Sequence, residues 1–206
     1  YENKKYLKIR RMIMEEKKKF QIKDLIITAL MVLCSQVLYR VLSFLFVTPY
    51  TMLLAVPIWS IIGAVTYFLV PVKTKNSWMI LLFCVLTSII GFYPPYIISC
   101  IVAGIIAMLI ARTKGISNYK GLTIGYMIFC VLAGFGGMCV PFLFYADQTI
   151  KSYAKMFGSE YMETLTKLVS PMTTVIFLVV IAICALIGAI ISKKLLKKHF
   201  EKAGMI

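Results

Sequence analysis

The chain has 206 residues, 61% of them hydrophobic, and a formal net charge of +15. Soluble domains sit nearer about half apolar, so a water-solvated core is excluded. In a soluble chain this charge would point to nucleic acid; here it lies at the ends of apolar runs, where membrane topology accounts for it and nucleic acid drops out as a partner.

Residues 1–24 form a basic N-terminal segment. Lys4, Lys5, Lys8, Arg10, Arg11, Lys17, Lys18, Lys19 and Lys23 interleave with Tyr6, Leu7, Ile9, Met12, Ile13 and Phe20. That pattern reads as an interfacial helix on the cytoplasmic leaflet. No cleavable signal peptide is expected, because the apolar run that follows is too long for one. This first span covers Leu25 to Val47, about 34 Å of helix against a hydrocarbon core of about 30 Å. Ala29, Leu33, Gln36 and Arg40 recur along it at helical spacing, on one stripe.

The second span runs from Thr51 to Val70, with a kink expected at Pro57, and Lys73 and Lys75 follow it. The third, Ser77 to Phe92, is short, so its outer end is expected to tuck inside the protein. Tyr93-Pro94-Pro95-Tyr96 turns the chain into a fourth span ending near Ala111, with Ala103, Ala107 and Ala111 on one face for close helix packing. The fifth span, Gly121 to Pro141, ends in a glycine-rich stretch, Gly134-Phe135-Gly136-Gly137. In the outer loop 142–170, Ile150, Ala154, Phe157, Tyr161, Leu165 and Leu168 describe an amphipathic lid helix interrupted near Gly158. The sixth span, Met172 to Ser192, leads into a basic tail, 193–206.

Of the 23 Lys and Arg, all except Arg40, Lys151, Lys155 and Lys167 fall on one side of this threading. The expected fold is therefore an all-α integral membrane protein with a membrane domain at 25–192, six transmembrane helices, and both termini cytoplasmic. Its expected location is the cell membrane, multi-pass and bacterial.

Enzyme signatures are missing from the sequence. The one histidine, His199, lies in the tail, no carboxylate falls inside the expected spans, and no phosphate-binding loop occurs. No catalytic residue, metal site or intrinsic cofactor is expected. The six cysteines read as small buried hydrophobes. Any uphill movement would draw on a partner chain.

Arg40 has two readings, a snorkelling anchor or a partner for an anionic ligand, with Gln36 adding an amide one turn below. Tyr39, Tyr50, Phe92, Tyr93, Tyr96, Met138, Cys139 and Tyr145 gather at the same outer level. They read as an aromatic belt or as the walls of a site for a flat ligand. The candidate substrate-binding residues are Gln36, Tyr39, Arg40, Tyr50, Tyr93, Tyr96, Met138 and Tyr145.

Three stretches carry a resemblance: Lys23-Asp24-Leu25, Phe157-Gly158-Ser159-Glu160-Tyr161, and the tail from Lys193 through His199 to Gly204. Over residues 20–206 the chain resembles the MptD (Trep-Strep) family, substrate-binding (S) components of energy-coupling factor (ECF) ABC transporters. The resemblance implies an S component that captures a micronutrient outside and topples in the bilayer. Its implied partners are a transmembrane coupling protein and two ABC ATPases. The small-residue motif that meets the coupling protein in that family falls here on Ala29 and Leu33, so a bulkier residue fills half of it, and a dedicated partner is expected. Gln36 and Arg40 share that stripe, which sets coupling contact against ligand contact. A small organic ligand is expected. Haem or another tetrapyrrole comes first, a pterin or pyrimidine next, and a non-transport membrane scaffold is the competing class.

Overall fold

Proline, glycine and capping hydroxyls punctuate the apolar runs. The computed structural model describes residues 21–91, 93–197 and 201. Most of the basic N-terminal segment, Phe92 and most of the tail lie outside the described residues. Every regular element among the described residues is helical.

Helix α1 (Ile22–Val41) continues as a 3-10 segment, Leu42–Val47. Then come α2 (Pro49–Ile62), α3 (Ala64–Thr74), α4 (Trp78–Ile89), α5 (Pro94–Lys114) and α6 (Tyr119–Gly134). A π segment at Phe135–Cys139 leads into α7 (Val140–Phe144), followed by α8 (Ala146–Phe157), α9 (Ser159–Leu168) and α10 (Pro171–Leu195). Among the described residues five stretches are long and apolar enough to cross a membrane: Ile22–Val47, Pro49–Thr74, Pro94–Lys114, Tyr119–Phe144 and Pro171–Leu195. Helix α4 is apolar but only 12 residues long.

Two of these stretches start in the same way. Thr48 and Ser170 each precede a proline, and each forms a reciprocal capping box with a threonine three residues on. Thr51 N–H donates to the Thr48 hydroxyl at 3.1 Å while Thr48 N–H donates to Thr51 Oγ1 at 3.2 Å. Ser170 and Thr173 repeat this at 3.3 and 2.8 Å. Helix N-terminal donors are thereby satisfied within the chain, and each cap contributes about 1 kcal/mol.

The α2–α3 stretch breaks at Gly63; the helix runs through Pro57 without interruption. Trp59 lies over Gly63, where an added Cβ would come 3.0 Å from the indole. The Tyr126 hydroxyl donates to the Ser60 carbonyl at 2.8 Å. Gly188 of α10 meets the same place: a Cβ there would sit 2.5 Å from Ser60 O and 2.7 Å from Ile61 O. The break is held by neighbouring helices, which resupply the bonds a membrane would not.

Small residues set the remaining spacing. Ala103, Ala107 and Ala111 of α5 are all buried, and a Cβ on Gly125 of α6 would come 3.1 Å from that of Ala107. Around this contact Tyr67, Phe68, Phe83, Tyr126 and Phe129 form a buried aromatic core, with the Tyr67 and Tyr126 centroids 4.9 Å apart.

At one end of the bundle the Arg112 guanidinium lies 4.7 Å over Trp78, and Lys193 lies 5.4 Å from the Tyr119 ring. The Tyr119 hydroxyl donates to Ala189 O. Lys23, Lys73, Lys75, Lys114 and Lys120 belong to the same, basic end by connectivity. Because α1 begins at Ile22, it also takes in Asp24, in its first turn and buried. A carboxylate there complements the positive end of the helix dipole.

The opposite, loop end has a core of its own. Met138, Phe142, Met162, Leu165 and Val169 bury one another beneath α8 and α9. The expected interruption of the amphipathic stretch falls at Gly158 (φ +89°).

Candidate ligand-binding site at the loop end

The site is assembled by turns. Pro94 and Pro95 occupy the first positions of α5 and force the preceding Tyr93 into an extended backbone. Tyr96 then points back between two glycines. A Cβ on Gly91 or on Gly137 would come 3.0 Å from its ring. Gly136 packs so closely on Ser99 and Pro95 O that a side chain would overlap them. The glycine-rich stretch therefore serves to seat the start of α5, and its π segment is the kind of irregularity often found at functional sites.

Tyr39 near the end of α1, Tyr93 before α5, Tyr145 after α7 and Tyr153 on α8 belong to the same loop end by connectivity. The Tyr93 hydroxyl is within electrostatic range of Tyr145 and Tyr153, and Tyr39 is within range of Tyr153 and Tyr96. The Tyr93 Oη has no accessible surface and no hydrogen-bond partner among the described residues. Burial raises the Tyr93 pKa above its ordinary value, and the neighbouring tyrosines add to the shift. The Tyr39 ring meets Phe46 edge-on at 6.4 Å.

The other candidates go elsewhere. Gln36 Nε2 donates to Thr87 O at 3.0 Å, tying α1 to the end of α4. Arg40 is exposed on α1, and Tyr50 is 64% exposed at the start of α2. Met138 is buried under α9 in the loop-end core. Ala29 and Leu33 both lie on the exposed face of α1, clear of the bundle. The stripe therefore splits, with only Gln36 turned to a neighbouring helix.

Tyr153 is the residue that the sequence reading passed over. Its signal was present: it lies three residues after Ile150 and four before Phe157, on the apolar side of α8. The assembled cluster offers ring faces and hydroxyls. That chemistry suits binding a flat ligand by stacking and hydrogen bonds. Among the described residues no group of three or more His, Cys, Asp or Glu could hold a metal ion.

Residues 22–202 match the family described as "Hypothetical bacterial integral membrane protein (Trep_Strep)". The chain belongs to the Trep_Strep family. It is a multi-pass membrane protein of a bacterial family, in keeping with its membrane-length apolar helices. No curated protein and no solved structure matches this Trep_Strep chain.

Proposed function

We propose that this chain is the S component of an ECF-type ABC importer. On this reading α4 is the sixth span, the basic end is cytoplasmic by the positive-inside rule, and the loop end faces outside. The observation that carries the reading is the placement of Tyr39, Tyr93, Tyr96, Tyr145 and Tyr153 on the helix ends and loop helix opposite the basic side chains, with a buried Tyr93 hydroxyl unpaired among the described residues. An unpaired buried hydroxyl costs about 1–3 kcal/mol, which a ligand acceptor would recover.

The substrate is a flat organic nutrient. Haem or a related tetrapyrrole ranks first: tyrosine rings stack on the macrocycle, a tyrosine oxygen can serve as axial ligand, and Arg40 at the rim meets a propionate. A pterin or pyrimidine ranks second. Transport uses a coupling protein and two ABC ATPases. The coupling protein docks on the exposed Ala29–Leu33 face and topples the S component as ATP is hydrolysed.

Spectral titration of the purified chain with haem tests the substrate. A Soret shift that saturates at micromolar haem is expected for the native chain and weakened in Tyr93→Phe. No shift at micromolar haem removes the tetrapyrrole and passes the site to the smaller ring systems.

A further inference from the structure

Three helices bring lysines to the first turn of α6. Lys193, in the last turn of α10, places its Nζ 5.4 Å from the centre of the Tyr119 ring. That ring is pinned: its hydroxyl donates to Ala189 O of α10, and Phe68 stacks on it at 5.0 Å. Lys114, the last residue of α5, lays its stem across Gly121. A Cβ on Gly121 would come 3.3 Å from Lys114 Cβ and 3.5 Å from Lys114 Cδ. Tyr119 and Gly121 are about 3 Å apart along the helix axis, and Lys120 lies between them in the same turn. All three lysines are exposed.

The described residues leave this charge uncompensated. Lys197 pairs with Glu201 at 3.7 Å, whereas no described carboxylate pairs with Lys114, Lys120 or Lys193. The positive charge belongs to the side chains and not to the helix end. Asn118 already accepts from Gly121 N–H at 3.3 Å through Oδ1, and from Leu122 N–H at 3.1 Å through its carbonyl. The Tyr119 face holds the Lys193 ammonium near the turn without cancelling its charge.

Just inboard the surface becomes apolar. Leu109 of α5 and Ile190 and Ile191 of α10 are exposed within two turns of the lysines. All three helices belong to stretches of membrane length that begin or end here. A ligand fitted to this edge has an anionic head and an apolar body.

We infer that the first turn of α6 seats the phosphate of an anionic phospholipid, held by Lys114, Lys120 and Lys193, with its acyl chains against the apolar surface below. A zwitterionic lipid brings its own ammonium, which three lysines repel, so headgroups of net negative charge are selected. The seat works in either orientation of the chain and does not rest on the transport reading.

Native mass spectrometry of the full chain in nonionic detergent, with phosphatidylglycerol or phosphatidylcholine added, tests it. Phosphatidylglycerol is expected to be retained at least about tenfold more strongly than phosphatidylcholine. K120Q/K193Q removes two of the three charges and weakens its retention about thirtyfold. K120R/K193R keeps the charge and keeps the lipid. K73Q/K75Q removes two exposed lysines from the same end and changes retention less than about threefold. Millimolar inorganic phosphate leaves the bound lipid in place. Equal retention of the two lipids overturns the seat and passes the basic end to a protein partner. An equal loss in K73Q/K75Q reduces it to diffuse charge, and loss in K120R/K193R shows that charge is not what holds the lipid; either overturns it. Displacement by inorganic phosphate overturns the lipid in favour of free phosphate.

Discussion

The Tyr161 hydroxyl donates to the carbonyl of Phe46 at 2.9 Å, across a sequence separation of 115 residues. The same hydroxyl lies 3.1 Å from Thr48 O and 3.4 Å from Met52 Sδ. Phe46 is the last residue but one of the 3-10 segment and Thr48 caps α2, so these carbonyls sit where the helical ladder is interrupted. Phe157 stacks on Tyr161 at 5.2 Å and meets Phe46 edge-on at 6.4 Å. The α1–α2 turn, the end of α8 and the start of α9 are thereby held together at the loop end.

Tyr161→Phe removes the hydroxyl and keeps the stack. Each lost hydrogen bond costs about 1 kcal/mol, so thermal unfolding in detergent is expected at a lower midpoint. Tyr161→Ala also removes the ring contacts and lowers it further. An unchanged midpoint for Tyr161→Ala would show that α9 is not held by this contact.

Gly188→Val places a side chain where a single Cβ would already lie 2.5 Å from Ser60 O and 2.8 Å from Ile61 Cα. Backbone cannot give way as a flexible side chain can. A loss of about 3 kcal/mol, or failure to yield monodisperse protein, is expected. Leu186→Val, on the exposed face of the same helix, serves as the silent control.

Tyr93→Phe deletes a hydroxyl that bonds to nothing among the described residues. Stability is expected to hold or rise slightly, while ligand affinity falls about tenfold if that hydroxyl is reserved for the ligand. Gln36→Ala should do the reverse. It frees Thr87 O, lowers stability by about 1 kcal/mol and leaves affinity unchanged. Parallel thermal shifts and haem titrations separate the two, and a swapped pattern would move the ligand to α1.

Burial raises the pKa of both Tyr93 and Tyr161 above the ordinary 10.0. Folding then favours the protonated phenols. Their contribution is fully present below pH 10 and is lost as pH rises through the raised folded values. Alkaline unfolding midpoints should therefore fall above pH 10, less steeply in Tyr93→Phe. Tyrosinate absorbance that titrates uniformly at the ordinary value would contradict this.

The positions of the five membrane-length stretches among the described residues were legible because apolar runs of that length have few alternatives, and Gly158 was legible as a stop because the amphipathic spacing slips there. Tyr39, Tyr93, Tyr96 and Tyr145 were legible as residues of one end of the bundle, since they lie near the ends of helices that meet there. Azimuth was not: Gln36 and Arg40 share a stripe in a helical projection, yet packing against α4 takes the amide and leaves the guanidinium exposed. Met138 lies at the right depth but turns under α9, a fact set by α9's own burial of Met162 and Leu165. The break at Gly63 was displaced from Pro57 because Tyr126 and Gly188, remote in sequence, settle where α2 can open. Contacts between distant helices leave no periodic trace along the chain.

The central claim is a binding subunit worked by partners. Its most direct measurement is ATP hydrolysis by material purified on the tagged chain from native membranes in mild detergent, with the copurifying subunits identified. The account predicts a transmembrane coupling protein with a pair of ABC ATPases, and their loss when Ala29 and Leu33 are both replaced by Trp. An intact chain that is recovered without ATPase activity, or that concentrates a solute alone in proteoliposomes, contradicts it.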